Sequence, residues 1–129
     1  MNQILLPVFV RLKDCGDVVR YDSVARMQSD FEQIDVENAE YEAWDAVGAR
    51  LNLSVQKSDD WLLIEPAPNP QPEGLSKAIM EFARVQGIEI DDSLLRKCDF
   101  CGALDHVASA IHAKRRSPSW WQKLKRRFS

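Results

Sequence analysis

Residues 6–21 read LPVFVRLKDCGDVVRY, and this stretch decides the fold class. Leu6, Val8, Val10 and Leu12 alternate with Pro7, Phe9, Arg11 and Lys13, the period of a β-strand. Asp14, Cys15, Gly16 and Asp17 supply a turn, because glycine can take the positive φ that tight turns need. Val18 to Tyr21 then returns as the second strand of a hairpin.

Outward from the hairpin the pattern changes period. Asp22 or Ser23 can cap a helix, and Val24, Met27, Phe31 and Ile34 follow at spacings that share one helical face. Glu40 to Val47 reads as a strand, turned by Ala46, Val47 and Gly48. Leu51, Leu53 and Val55 alternate with Asn52, Ser54 and Gln56, so another strand follows. After a turn at Ser58, Asp59 and Asp60, the apolar run Trp61 to Ile64 reads as a strand buried on both faces. The order is ββαβββ. Pro66, Pro68, Pro70 and Pro72 then make residues 66–74 an extended linker, since proline removes backbone donors. Beyond it, Leu75, Ala78, Ile79, Phe82 and Gln86 lie on one helical face that Gly87 can end. Asp91 or Asp92 can cap a second helix, and helical spacing continues through Ile111. Pro118 opens a last short helical segment.

The fold expected is therefore α+β: a small, mainly antiparallel sheet followed by two or three helices packed on it. Residues 1–113 form a single domain, with a sheet part at 1–65, the linker at 66–74 and a helical part at 75–113. Residues 114–129 form a basic tail. The expected interior is Val8, Val10, Val24, Phe31, Leu53, Leu63, Ile79, Phe82, Leu94 and Ile111. A chain of 129 residues, 45% hydrophobic and 29% charged, suits one globular domain. It argues against a disordered chain or a coiled-coil rod. No apolar run approaches the ~20 residues of a membrane span. The first nine residues lack a basic stretch ahead of apolar ones, so no secretory signal is read there. Three cysteines, an odd count, then suggest free thiols in the cytoplasm.

Charge is informative once divided. Lys and Arg number 17 against 20 Asp and Glu, net −3. Residues 114–129 hold Lys114, Arg115, Arg116, Lys123, Lys125, Arg126 and Arg127 and no acid, which leaves residues 1–113 at −10. The tail suits an anionic partner and the body a basic one, unless the two neutralise each other. Ser117 and Pro118 suit a helix start. At ~100° per residue, Trp120, Trp121, Leu124 and Phe128 share one face, and the cations of the tail fill the opposite arc. Tryptophan beside Lys and Arg is the composition of an interfacial membrane helix. The same helix could dock on the body, on a helix-binding protein or on nucleic acid.

Cys98, Cys101, His106 and His112 have the spacing C-x2-C-x4-H-x5-H. Four N or S ligands are what tetrahedral zinc takes. The stretch resembles the retroviral-type zinc knuckle at Cys98, Cys101, Gly102 and His106, over 15 residues. It differs where His112 stands one residue late in place of cysteine, and where Asp105 replaces the usual glycine before the histidine. The resemblance implies zinc and single-stranded nucleic acid. The alternative is a continuous helix on which Leu94, Cys98, Cys101, Leu104, Ala108 and Ile111 form one buried stripe. A redox pair at Cys98 and Cys101 would need a helix N-terminus there.

Asp35, Glu37, Glu40, Glu42 and Asp45 form an acidic cluster, in which Glu40 and Glu42 would share one strand face with Trp44; paired carboxylates can serve acid–base catalysis or hold Mg²⁺ or Ca²⁺, but the cluster is read as solvated charge on a strand edge. No phosphate loop, dinucleotide fingerprint, nucleophile elbow or zinc-protease helix occurs. The expectation is a non-enzymatic interaction or adaptor module. Its acidic body binds a protein partner and its tail an anionic membrane surface, with no cofactor and no evident small-molecule substrate. The alternatives are a nucleic-acid-binding protein with the zinc site, and an acidic immunity-like protein that neutralises a basic partner.

Overall fold

The computed structural model describes residues 4–68, 72–90, 92–97 and 99–116. Its elements are β1 (Val8–Leu12), β2 (Val18–Tyr21), α1 (Val24–Asp30), α2 (Gln33–Glu37), β3 (Tyr41–Trp44), β4 (Arg50–Val55), β5 (Leu62–Pro66), α3 (Pro72–Val85), α4 (Asp92–Arg96) and α5 (Phe100–Arg116). This is the expected α+β fold. The strands make one sheet in the order β2-β1-β3-β4-β5, and every neighbouring pair is antiparallel. Since β2 and β3 both run against β1, they are parallel to each other and need a crossover; α1 and α2 supply it. The rest is local: a hairpin β1–β2 turned at Gly16, φ 77°, and a meander β3–β4–β5.

The sheet is covered on both faces. Val8, Phe9 and Val10 of β1 are each 0% exposed, which one-sided packing cannot produce. Val8, Val10, Ala43, Leu51 and Leu62 pack with Met27, Phe31 and Val36 under α1 and α2. Phe9, Val18 and Trp44 face the other way and pack with Leu75, Ala78, Ile79, Leu95, Phe100, Ala103 and Leu104 under α3, α4 and α5. Phe9 and Phe100 meet edge to face, ring centroids 6.0 Å apart. Phe9 and Trp44 are thus central to the core although strand alternation alone puts Phe9 with the outward set. Of the expected interior, Val8, Val10, Phe31 and Ile79 are buried, and Val24, Leu53, Leu63, Phe82, Leu94 and Ile111 are half-buried.

Four elements differ from expectation for identifiable reasons. The helix read through Val24–Ile34 breaks at Phe31, whose backbone is extended (φ −90°, ψ 144°). Its ring stacks on Tyr41 at 4.1 Å and meets Tyr21 edge-on at 5.4 Å, a tertiary contact that outweighs helical spacing, and Ile34 is left 60% exposed. The strand after Ala39 stops at Trp44, because the Asp45 carboxylate accepts the backbone N–H groups of Val47 (3.0 Å) and Ala49 (2.9 Å) and shapes a turn. The run Trp61–Ile64 becomes β5, Leu62–Pro66, which pairs only with β4 and is therefore an edge strand, with Leu63 and Ile64 half-buried. The linker is shorter than 66–74: Pro66 ends β5, and Pro72 opens α3, where a missing backbone donor costs nothing.

The stripe from Leu94 to Ile111 does not lie on one helix. Asp99 intervenes and caps α5, its Oδ1 accepting the Gly102 N–H at 3.0 Å. The break turns Phe100 inward to 1% exposure, and the buried face of α5 is Ala103, Leu104 and Val107, with Ala108 exposed. Gly87 (φ 70°) ends α3 as its position suggests. No described helix is long and apolar enough to cross a membrane.

Candidate functional site beside helix α3

Strand register builds the site. Arg11 of β1 stands opposite Glu42 of β3, and Trp44 stands opposite Arg50 of β4. Residues distant in sequence thus meet on the face that carries α3. Glu42 Oε1 accepts from Arg11 Nη1 at 2.7 Å, and Oε2 accepts from Arg50 Nη1 at 2.9 Å. One carboxylate serves two guanidiniums, and all three side chains keep 25–29% exposure. Burial pushes the Glu42 carboxyl up, but the hydrogen bonds from Arg50 and Arg11 outweigh it and hold the group below its ordinary range. Arg50 also lies over the Trp44 ring, 5.1 Å from the centroid, a cation–π contact that fixes its guanidinium.

Helix α3 forms the facing wall. Gly74 lets its first turn lie close on the indole, since a Cβ there would come within 3.1 Å of Trp44 Nε1. Lys77, Met80, Glu81 and Arg84 follow along the helix, and Arg84 Nε donates to Glu81 Oε2 at 3.0 Å. Ala67 and Pro68 complete the lining; the Ala67 N–H continues the ladder to the Arg50 carbonyl at 2.9 Å. The groove is open to solvent and has a volume of about 1080 Å³. Arg11, Arg50, Lys77 and Arg84 oppose Glu42 and Glu81 in its lining, so it is locally cationic on a body of net −10.

The opposite face holds a smaller hollow of about 220 Å³. Tyr21, Phe31 and Tyr41 line it together with Asp14, Asp30, Asp35 and Glu40. The Tyr41 hydroxyl donates to Asp35 Oδ2 at 3.4 Å. Burial, then the Asp30 carboxylate, pushes the Tyr21 phenol up to about 12, and burial with Asp35 raises that of Tyr41.

The acidic cluster read from sequence divides among three tasks. Glu42 sits on β3, an interior strand and not an edge, and bridges the two arginines. Asp45 is 9% exposed and holds its turn. Asp35 and the exposed Glu40 line the hollow, Glu40 preceding β3 rather than sharing its face with Glu42, and Glu37 is exposed. The sequence pattern pairs Glu42 with Trp44 on one face, which the register confirms, but gives no sign of Arg11, Arg50, Lys77 or Arg84 as their company.

Of the residues expected to hold zinc, Cys101, His106 and His112 are spread along α5. Cys101 is half-buried in its first turn, His106 lies further on, and His112 is exposed near its end. At ~1.5 Å per residue the helix separates Cys101 from His112 by roughly 16 Å, whereas zinc ligands lie ~2 Å from one ion. His106 Nε2–H donates to the Glu89 carbonyl at 3.2 Å, tying α5 to the segment after α3. Among the described residues no three His, Cys, Asp or Glu side chains gather as a metal site. Cys98 lies outside the described residues. So do Trp120, Trp121, Lys123, Leu124, Lys125, Arg126, Arg127 and Phe128 of the tail. Lys114, Arg115 and Arg116 continue the backbone of α5, so no helix boundary separates the body at 113 from the tail.

Comparison with family models, with curated proteins and with solved structures found no match to this chain.

Proposed function

We propose that the chain is a non-enzymatic interaction module. Its body receives a segment of a protein partner in the groove between α3 and the sheet. Its basic, tryptophan-rich C-terminal stretch engages an anionic surface, the face of a membrane. The observation that carries the first part is the groove itself, about 1080 Å³, floored by Trp44 and the Arg11–Glu42–Arg50 bridge. Fixed polar groups beside apolar Met80, Ala78 and Trp44 are what a binding surface needs, because apolar contact gives affinity and placed polar groups give orientation. The second part rests on the seven cations and the aromatic arc of residues 114–129.

A photo-cross-linking side chain at Met80, which is 44% exposed on the groove wall, tests the body. A discrete adduct with one protein, absent when the same group replaces the exposed Arg26 of α1, supports the reading. No adduct specific to Met80 removes it. Sedimentation with anionic and neutral vesicles tests the tail. The full-length chain pellets with anionic vesicles at low salt, and replacing Lys123, Lys125, Arg126 and Arg127 by glutamine abolishes it. Equal pelleting by both proteins overturns the anchor.

A second reading has its own support. The hollow lined by Tyr21, Phe31, Tyr41 and four carboxylates suits one lysine or arginine side chain. A basic protein seated there would make the chain an acidic, immunity-like neutraliser. Such a complex loses affinity on Asp30→Asn and Asp35→Asn together, and is untouched by changes in the groove.

A further inference from the structure

We infer that the groove beside α3 recognises an acidic peptide segment, with a glutamate or aspartate side chain seated across Arg11 and Arg50; this rests on the reading of the groove as the partner-binding surface. The bridge already shows how a carboxylate sits there, because Glu42 is held by one N–H from each guanidinium. A guanidinium carries five donors in a planar fork. The single carboxylate therefore leaves the pair with donors and with one net positive charge. Both arginines line the groove and keep 29% of their side chains exposed. Glu42 fixes Arg11, and Glu42 with the Trp44 ring fixes Arg50, so little side-chain freedom is lost when a second carboxylate arrives. Lys77 on the facing wall adds a further cation; Glu81, also in the lining and within electrostatic reach of Arg11, is bonded to Arg84, which offsets its charge.

Charge elsewhere selects among anions. Residues 1–113 total −10, so the groove is a cationic patch on a negative body. A nucleic acid carries a phosphate every few ångströms and would lay most of them on that body. A peptide with one or two acids and an apolar neighbour meets only the groove. Its carboxylate meets Arg11 and Arg50, and its apolar side chain meets Met80, Ala78 and Trp44.

The test is an NMR titration of the full chain with acetyl-Leu-Glu-Glu-Leu-amide, with its Gln-Gln counterpart, and with a ten-nucleotide oligothymidine. The reporter is the Trp44 indole N–H, assigned through Trp44→Phe, together with the amides of residues 77–84. The acidic peptide shifts these signals saturably and binds at least tenfold tighter than the glutamine peptide. Lys77→Gln weakens it severalfold without touching the sheet. If the glutamine peptide binds as tightly, the inference falls and the groove stands as an uncharged recognition surface. If oligothymidine moves the groove signals and the acidic peptide does not, the inference falls in favour of nucleic acid. If no probe moves them while the Met80 adduct forms, the inference alone falls; if the adduct fails too, the reading beneath it falls.

Discussion

Glu42→Gln is the most informative single change in the sheet. The glutamate makes two charge-assisted hydrogen bonds, 2.7 Å to Arg11 and 2.9 Å to Arg50. Each such bond contributes roughly 1.5–3 kcal/mol when well shielded. Glutamine keeps one acceptor but turns an amide donor toward a guanidinium, so one bond is replaced by a clash of donors. Exposure of 25–29% screens part of the loss. The expected cost is about 2 kcal/mol at pH 7, or roughly 6–10 °C in melting temperature for a domain of this size. The cost depends on pH in a fixed direction. The Glu42 carboxyl is held below the ordinary glutamate range by Arg50 and Arg11, so its stabilisation is complete above that range and is lost as the pH falls through the lowered folded value. Urea melts followed by circular dichroism at pH 7, 5, 4, 3 and 2 would compare the two proteins. The gap between them is constant from pH 7 to 5 and closes toward pH 2. A gap that stays open at pH 2 would mean that the loss is one of packing, and the bridge would not be the electrostatic element described. No gap at pH 7 would refute its contribution outright.

Phe9→Ala, emptying a 0% exposed site against Phe100, costs about 3–5 kcal/mol by urea melting, against less than 1 kcal/mol for Ile34→Ala on the exposed face of α2. Asp99→Ala removes the cap of α5 and costs about 1 kcal/mol, with hydrogen exchange quickening first at Gly102. The Tyr21 phenol is raised from 10.0 to about 12, so the stability it contributes is complete below pH 10 and falls as the pH rises from there toward 12; Tyr21→Phe flattens that decline in alkaline melts.

Local patterns carried most of the element order. The hairpin of residues 8–21, strand β4 and helix α3 each announce themselves by period and by a turn glycine, because their shapes depend on neighbours in sequence. The breaks did not. Helical spacing runs unbroken from Val24 to Ile34, and the packing of Phe31 between Tyr21 and Tyr41, each ten residues away, opens the chain there. The α4–α5 break did have a local signal, Asp99 three residues before Gly102, obscured by the even spacing of Leu94, Cys101 and Leu104. The groove was half legible. Glu42 and Trp44 share a face by strand period alone, but Arg11 and Arg50 join them through pairings between β1, β3 and β4 that no short window contains.

Because β1 is covered on both faces, the sheet acts as a partition between two compartments. Phe9 and Trp44 belong to one, Val8, Val10 and Met27 to the other, and none of these side chains is shared. Substitutions on opposite sides of such a wall have few common neighbours and should add nearly independently, whereas pairs on one side should not. The cationic groove opens on one compartment and the tyrosine hollow on the other, so each can be retuned without disturbing its counterpart.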